Sequence, residues 1–236
     1  MYLDGVQNHF NTEAFEYDGL IPKLIPKYHE QNEVIALLIP FQKQDSIKIL
    51  DLGCGTGVLS YIALNCYQQS QVVAFDLADN MLRACEQNLF LYKNRLTLKQ
   101  GNFATDDLGK DYDLVLSGLA VHHLNDSEKF RLFKRIFEAL KPEGMFINRD
   151  IVLGPTDYLT DLYHSLWRQF IRSNGEDDQK WFKTYLREDI PAAVEDQLAW
   201  LKAANFSDVD CNWRYLNYAI FSGRKPKISD YSFREK

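Results

Sequence analysis

The chain has 236 residues, enough for one substantial α/β domain with its own core, and its 46% hydrophobic and 25% charged content is that of an ordinary globular protein. With 33 acidic residues against 27 basic ones the formal charge is −6, which repels phosphate backbones and disfavours nucleic acid as a partner. No stretch approaches the roughly 20 apolar residues of a membrane span, and residues 1–10 lack the apolar run of a signal peptide, so no membrane partner and a cytoplasmic location are expected.

Residues 1–30 are polar and aromatic, and Pro22 and Pro26 interrupt any long helix there. From Glu30 to Phe41, Val34, Leu37, Leu38 and Phe41 recur at helical spacing and predict a short amphipathic helix. Ile47–Asp51 then reads as a strand ending in a glycine cluster. Val58–Tyr67 follows as a helix, Gln71–Asp76 as a strand and Asp79–Phe90 as a helix. Arg95–Gln100 and Tyr112–Ser117 read as strands three and four. Asn125 is placed to cap the next helix, with Glu128 completing a capping box, and Phe130, Phe133, Phe137 and Leu140 share one face of it. Lys141-Pro142-Glu143-Gly144 ends that helix, and Met145–Ile151 is strand five. Strands alternating with helices of this length predict a parallel sheet with helices on both faces.

After Gly154-Pro155 the alternation stops. Tyr158, Leu159, Leu162, Tyr163, Leu166 and Trp167 begin a broad apolar helical stripe that ends before Gly175. A polar stretch follows from Glu176 to Lys180, then Trp181 and Phe182. Pro191 is expected to start a last helix, and Val209–Trp213 and Tyr215–Ser222 to form a hairpin separated by one residue. The expected organisation is a single domain: an N-terminal helical lid over 1–44, a cofactor-binding core over 45–154, a helical cap insertion over 155–190, and a closing helix and hairpin over 191–223. The chain carries no internal repeat, and oligomeric state is not legible in it.

The segment 49–57, Ile-Leu-Asp-Leu-Gly-Cys-Gly-Thr-Gly, is the most informative. Closely spaced glycines between a strand and a helix let backbone approach a ligand without Cβ clashes, and the helix start offers free N–H groups. The spacing is GxGxG, neither the GxGxxG of dinucleotide folds nor a P-loop, so phosphate cradling is the lesser reading. Asp76 closes the second strand, where a carboxylate can accept hydrogen bonds from a ribose diol.

These residues carry a resemblance. Residues 51–57, DLGCGTG, resemble motif I of the class I S-adenosylmethionine-dependent methyltransferases, and Asp76 matches their motif II acid. Gly101-Asn102-Phe103 is similar to the segment that meets the adenine, with Asn102 where many members have Asp. Residues 112–117 resemble motif IV, and residues 140–144 the turn before strand five. The likeness covers about residues 45–153 plus the closing helix and hairpin, in order. It implies a Rossmann-like, doubly wound, mostly parallel seven-stranded sheet and S-adenosyl-L-methionine as cofactor. It also implies that Asp51, Gly53, Gly55 and Gly57 surround the methionine moiety, Asp76 and Leu77 the ribose, and Asn102 and Phe103 the adenine. Ser117 and Gly118 would line the floor near the sulfonium, with Tyr17 and Tyr28 folding over the cofactor.

Methyl transfer needs an aligned nucleophile and, where the acceptor must lose a proton, a base. His122 and His123, just past strand four, are the catalytic candidates; such a histidine either faces the site or braces the next helix. No metal is expected, because adjacent histidines point apart and no third ligand is evident. The cysteines, Cys54, Cys66, Cys85 and Cys211, form no CxxC pair and read as buried small hydrophobes in a reducing compartment. Arg149 and Asp150, at the ligand edge of strand five, and Arg168, in the insertion, are substrate candidates. The expected function is methyl transfer to a small-molecule acceptor. Two alternatives stand beside it: a tRNA wobble-uridine modifying enzyme of related fold that uses S-adenosylmethionine or a carboxylated derivative, and a non-catalytic cofactor-binding regulator.

Overall fold

A computed structural model describes Gly5, Gln7, residues 9–11 and residues 17–227. Seven strands form one sheet in the order β3-β2-β1-β4-β5-β7-β6, with β1 (Lys48–Leu52), β2 (Gln71–Asp76), β3 (Leu96–Gln100), β4 (Tyr112–Gly118), β5 (Leu140–Ile151), β6 (Ser207–Tyr215) and β7 (Tyr218–Arg224). β1 pairs in parallel with β2 on one side and β4 on the other, and only the closing pairs β5–β7 and β6–β7 are antiparallel. The chain thus moves outward from β1 to β3, then returns to β4. That reversal opens a crevice beyond the carboxyl ends of β1 and β4.

Period-two alternation along these strands builds two cores. Leu50, Leu52, Val115, Phe146 and Phe221 face α5 (Asp126–Ala139) and α8 (Val194–Ala203) through Leu132, Phe133, Ile136 and Leu201. Their neighbours Ile49, Leu114, Leu116, Ile147 and Ile220 face α2 (Tyr28–Leu38), α3 (Val58–Cys66) and α4 (Asp79–Asn88) through Ile35, Leu59, Ala63 and Leu82. Central strands are therefore apolar on both faces, as a doubly wound sheet requires. A third cluster joins α1 (Tyr17–Leu24) to α6 (Asp157–Ser173) and α7 (Asp178–Glu188) through Ile21, Leu24, Trp167, Ile171, Trp181 and Tyr185.

Several boundaries differ from expectation. α1 is a short helix of the lid; Pro22 lies inside it rather than ending it, and the chain breaks instead at Lys27, whose φ of 60° is left-handed. Within the helical cap, α7 begins inside the polar stretch 176–180, where Asp177 caps it by accepting from the N–H groups of Gln179 and Lys180. The last helix starts at Val194, not Pro191, because Ala193 first bridges to Leu153. β5 starts at Leu140: its register against β4 jumps from Tyr112↔Leu140 to Leu114↔Met145, and Glu143 turns at φ 68° inside that jump. The hairpin turn is Leu216-Asn217 rather than one residue, since two residues are needed to reverse the strands. Asn125 and Glu128 form the expected capping box.

Candidate active site

The crevice above β1 and β4 is a pocket of about 890 Å³, mouth included. Asp51, Gly53, Gly55, Asp76 and Leu77 reach it from the ends of β1 and β2, and Asn102, Phe103 and Gly118 from those of β3 and β4; Tyr17, Tyr28, His123 and Arg149 complete its wall. Fragments scattered from position 17 to 149 thus converge because a parallel sheet delivers successive strand ends to one edge.

Asp51 is buried, and its Oδ2 accepts from the N–H (2.9 Å) and hydroxyl (2.7 Å) of Ser60, so it also satisfies the first turn of α3. Its other oxygen, Oδ1, is buried without a hydrogen-bond partner. Burial pushes its pKa up to about 6, against the hydrogen bonds from Ser60. Asp76 Oδ2 accepts from Gly55 N (2.8 Å) and Oδ1 from Ala78 N (2.9 Å). Burial raises its pKa, and these backbone bonds counter it in part. Gly55 takes φ 53°, and a Cβ built on it meets nothing within 4 Å, so a side chain would project into open pocket. Gly53 serves packing as well: its Cβ would stand 2.3 Å from that of Ala120.

Arg149 donates from Nη1 to Asn32 Oδ1 on α2 (2.6 Å) and lies 4.9 Å from the centre of the Tyr28 ring; its Nε is buried without a partner. A buried orphan acceptor on Asp51 and a buried orphan donor on Arg149 in one pocket suit a zwitterionic amino-acid end. Asn102 lines the pocket, and its Oδ1 accepts from Ala104 N (2.9 Å), which leaves its NH₂ group as a donor. The lid is tied down: Thr56 donates to Asp18 Oδ1 (2.5 Å), and Asn88 to Asp18 Oδ2 (3.1 Å).

Not every expected residue arrives. Ser117 is buried and donates to Leu52 O (2.9 Å), outside the pocket wall. Gly57 is also outside it; its φ of 93° and the 2.7 Å from a built Cβ to Cys85 Sγ make it a packing glycine. Asp150 lies behind the site, 2.5 Å from His122 Nδ1. Arg168 sits apart on the cap surface, bonded to Asp178 (2.7 Å) and over the Phe182 ring.

The two histidines differ. His122 is held by Asp150 on one side, with Asp189 3.6 Å from its Nε2. Burial pulls its pKa down, but those two carboxylates outweigh it and the net shift is upward. His123 Nδ1 stands 2.8 Å from the Glu188 carbonyl, which can only accept, so Nδ1 carries the hydrogen and the lone pair is on Nε2. Burial, and then the neighbouring His122, drive its pKa well below the ordinary value. Asp189 corrects the expectation that no third ligand-type residue accompanies the pair: ligand atoms of all three lie within 4.8 Å of one another. The hydrogen that His123 Nδ1 gives Glu188, however, removes that nitrogen as a metal ligand. Asp189 had no sequence signal, since Arg187-Glu188-Asp189 reads as an ordinary charged surface run.

Residues 49–144 match the family model described as a methyltransferase domain. Over these residues the chain carries a class I S-adenosylmethionine-dependent methyltransferase domain. Its cofactor is S-adenosyl-L-methionine. Over 91% of this methyltransferase and 93% of the relative, it is 22% identical to a carboxy-S-adenosyl-L-methionine synthase from Nautilia profundicola. It is 24% identical to a malonyl-[acyl-carrier protein] O-methyltransferase from Priestia megaterium, over 85% of this chain and 70% of that one. The fold matches human N-acetylserotonin methyltransferase in complex with S-adenosylmethionine at a TM-score of 0.59 and 19% identity. That match covers 84% of this chain and 52% of the human one, so the methyltransferase spans about half of that structure. Among the described residues, no helix is long and apolar enough to cross a membrane.

Proposed function

We propose that this methyltransferase transfers a methyl group to a small-molecule acceptor bound beside the β1–β4 crevice. The observation that carries the site assignment is the pairing of orphan polar atoms, Asp51 Oδ1 and Arg149 Nε, in the pocket that also holds Asp76 and the open face of Gly55. When bound, the cofactor supplies a methyl group already activated by its sulfonium. Asp51 receives the α-amino group of its methionine end and Arg149 the α-carboxylate, so Arg149 acts on the cofactor rather than on the acceptor. Asp76 accepts from the ribose hydroxyls. Phe103, Leu77 and Met81 flank the adenine, and the Asn102 NH₂ group donates to a ring nitrogen, its carbonyl being committed to Ala104. Tyr17 and Tyr28 cover the bound molecule and exclude water. His123, neutral and with a free Nε2, receives the acceptor's hydrogen; His122, clamped by Asp150, braces it. A cytoplasmic setting fits the four free cysteines.

Calorimetry with S-adenosylmethionine on wild type, Asp76→Ala and Gly55→Val tests the assignment. Affinity should fall by about 100-fold or more in both variants, through a lost pair of charge-assisted hydrogen bonds in one and a blocked, strained turn in the other. Unchanged binding in both would remove the site.

A second reading is formation or use of carboxy-S-adenosylmethionine. It is favoured by the end-to-end likeness to the Nautilia profundicola synthase. Mass analysis of nucleoside and acceptor after turnover separates the readings: S-adenosylhomocysteine with a methylated acceptor for methyl transfer, a carboxylated cofactor for its formation, and S-adenosylhomocysteine with a carboxymethylated acceptor for its use.

A further inference from the structure

The cofactor pocket does not end at the lid. Phe10, Tyr17, Leu119 and His123 line it and also a second space, which runs on between α1, α6, α7 and the end of β5. The body of that space is walled by Leu24, Ile25, Ile151, Trp167 and Trp181. Two of its aromatic walls have their polar groups engaged elsewhere. Trp167 Nε1 donates to Leu24 O (2.8 Å), and the Tyr185 hydroxyl is bonded to His164 Nε2 (2.9 Å). These rings therefore present faces and edges to an occupant, not hydrogen bonds.

The polar part of the lining comprises His9, Thr184, Glu188 and the group His122, His123 and Asp189, which stand together. No lysine or arginine lines the space among the described residues, and residues 1–16 contain none in sequence. Any positive charge on His122 is already answered by Asp150 at 2.5 Å and Asp189 at 3.6 Å. An anionic acceptor would be buried beside the carboxylates of Glu188 and Asp189, and the nearest buried cation, Lys129, lies outside the lining with its ammonium held by Leu124 O and Ile190 O, so burial would cost several kcal/mol.

We infer that this second space is the acceptor chamber and that it selects an uncharged, flat, mainly apolar molecule whose O–H or N–H group is presented to His123. The inference rests on the cofactor site proposed above and adds the substrate class. In the transfer, the acceptor's lone pair forms the bond to the methyl carbon while the carbon–sulfur bond breaks and leaves its electron pair on sulfur. The acceptor's proton passes to His123 Nε2, so the positive charge that was on sulfur leaves as a proton. Asp189 acts as a positioning residue that keeps the histidine end attractive to a donor and hostile to an anion.

The test compares 2-naphthol with 2-naphthoate, one ring system with and without a negative charge. Each is titrated into the full chain loaded with S-adenosylhomocysteine, with binding read by calorimetry and tryptophan fluorescence. Naphthol should bind tighter by about tenfold or more. Trp181→Ala should weaken naphthol by about fivefold or more without changing S-adenosylhomocysteine binding. Because that variant removes a core side chain, Thr184→Arg is the second arm: Thr184 lines the chamber and is only half-buried, and an arginine there should shift preference toward naphthoate by about tenfold. Equal or tighter binding of naphthoate by wild type, or a naphthol affinity indifferent to both substitutions, overturns the acceptor class while leaving the cofactor site intact. Failure of S-adenosylhomocysteine itself to bind sinks the cofactor site and this chamber with it.

Discussion

A carboxyl group walled off from water gives up its proton at a higher pH than an exposed one, and Asp51 is such a group. Its pKa of about 6 in the folded chain lies above the ordinary carboxylate value, so its contribution to stability is full below about pH 4 and is lost as pH rises through 6. Asp51→Asn, which keeps an acceptor for Ser60, should therefore stabilise the ligand-free protein by about 2 kcal/mol at neutral pH and flatten that part of the profile. The same proton couples to the cofactor. An incoming ammonium favours ionised Asp51, so binding should release a proton and affinity should rise between about pH 5 and 7. Calorimetry in buffers of different ionisation enthalpy reads that proton directly. A pH-independent affinity in this range would separate Asp51 from the ligand's amino group.

Each motif residue acts through the element that carries it. α5 begins with a reciprocal capping box, Asn125 Oδ1 accepting from Glu128 N at 3.0 Å and Glu128 Oε2 from Asn125 N at 2.9 Å. Asn125→Ala should cost about 1 kcal/mol, seen as a lower denaturant midpoint with an unchanged slope, and leave cofactor affinity unaltered. A change in affinity would mean that the helix start positions the histidine segment just before it. The same helix carries Lys129, fully buried, whose ammonium donates to Leu124 O (2.6 Å) and to Ile190 O. That cation fastens the end of the cap, and Asp189 with it, to the core. Burial lowers its pKa, and nearby carboxylates offset this in part. A lysine among the polar positions of an amphipathic helix looks like a solvated one, so this tie had no sequence signal.

Across the whole molecule, charge and placement decide which partners can approach. With a formal charge of −6, the protein should not shift tRNA in a gel at low salt, and any shift should not vanish steeply as salt is raised. A salt-sensitive complex would favour the tRNA-directed alternative. The sheet and the chemistry at its edge were legible because both are local. Alternating apolar runs predict the strands, and a glycine turn followed 19 residues later by Asp76 predicts the cofactor crevice. The lid and cap were harder: α1 carries Pro22 within it, α7 begins in a polar stretch, and both are stabilised by contacts with α6.

By itself the sequence determined the alternation of strands and helices, the glycine turn and the acid that follows it, because backbone freedom and hydrophobic period are properties of neighbouring residues. Tertiary structure alone decided that Ser117, Gly57 and Arg168 stand outside the pocket and that, of the neighbours Arg149 and Asp150, Arg149 lines it. It also separated His122 from His123, by giving one a carboxylate and the other a carbonyl, and brought in Asp189 from a charged run more than 60 residues away. Burial and hydrogen-bond partners come from chain segments that meet only in space, and those are what fix a side chain's protonation and its role.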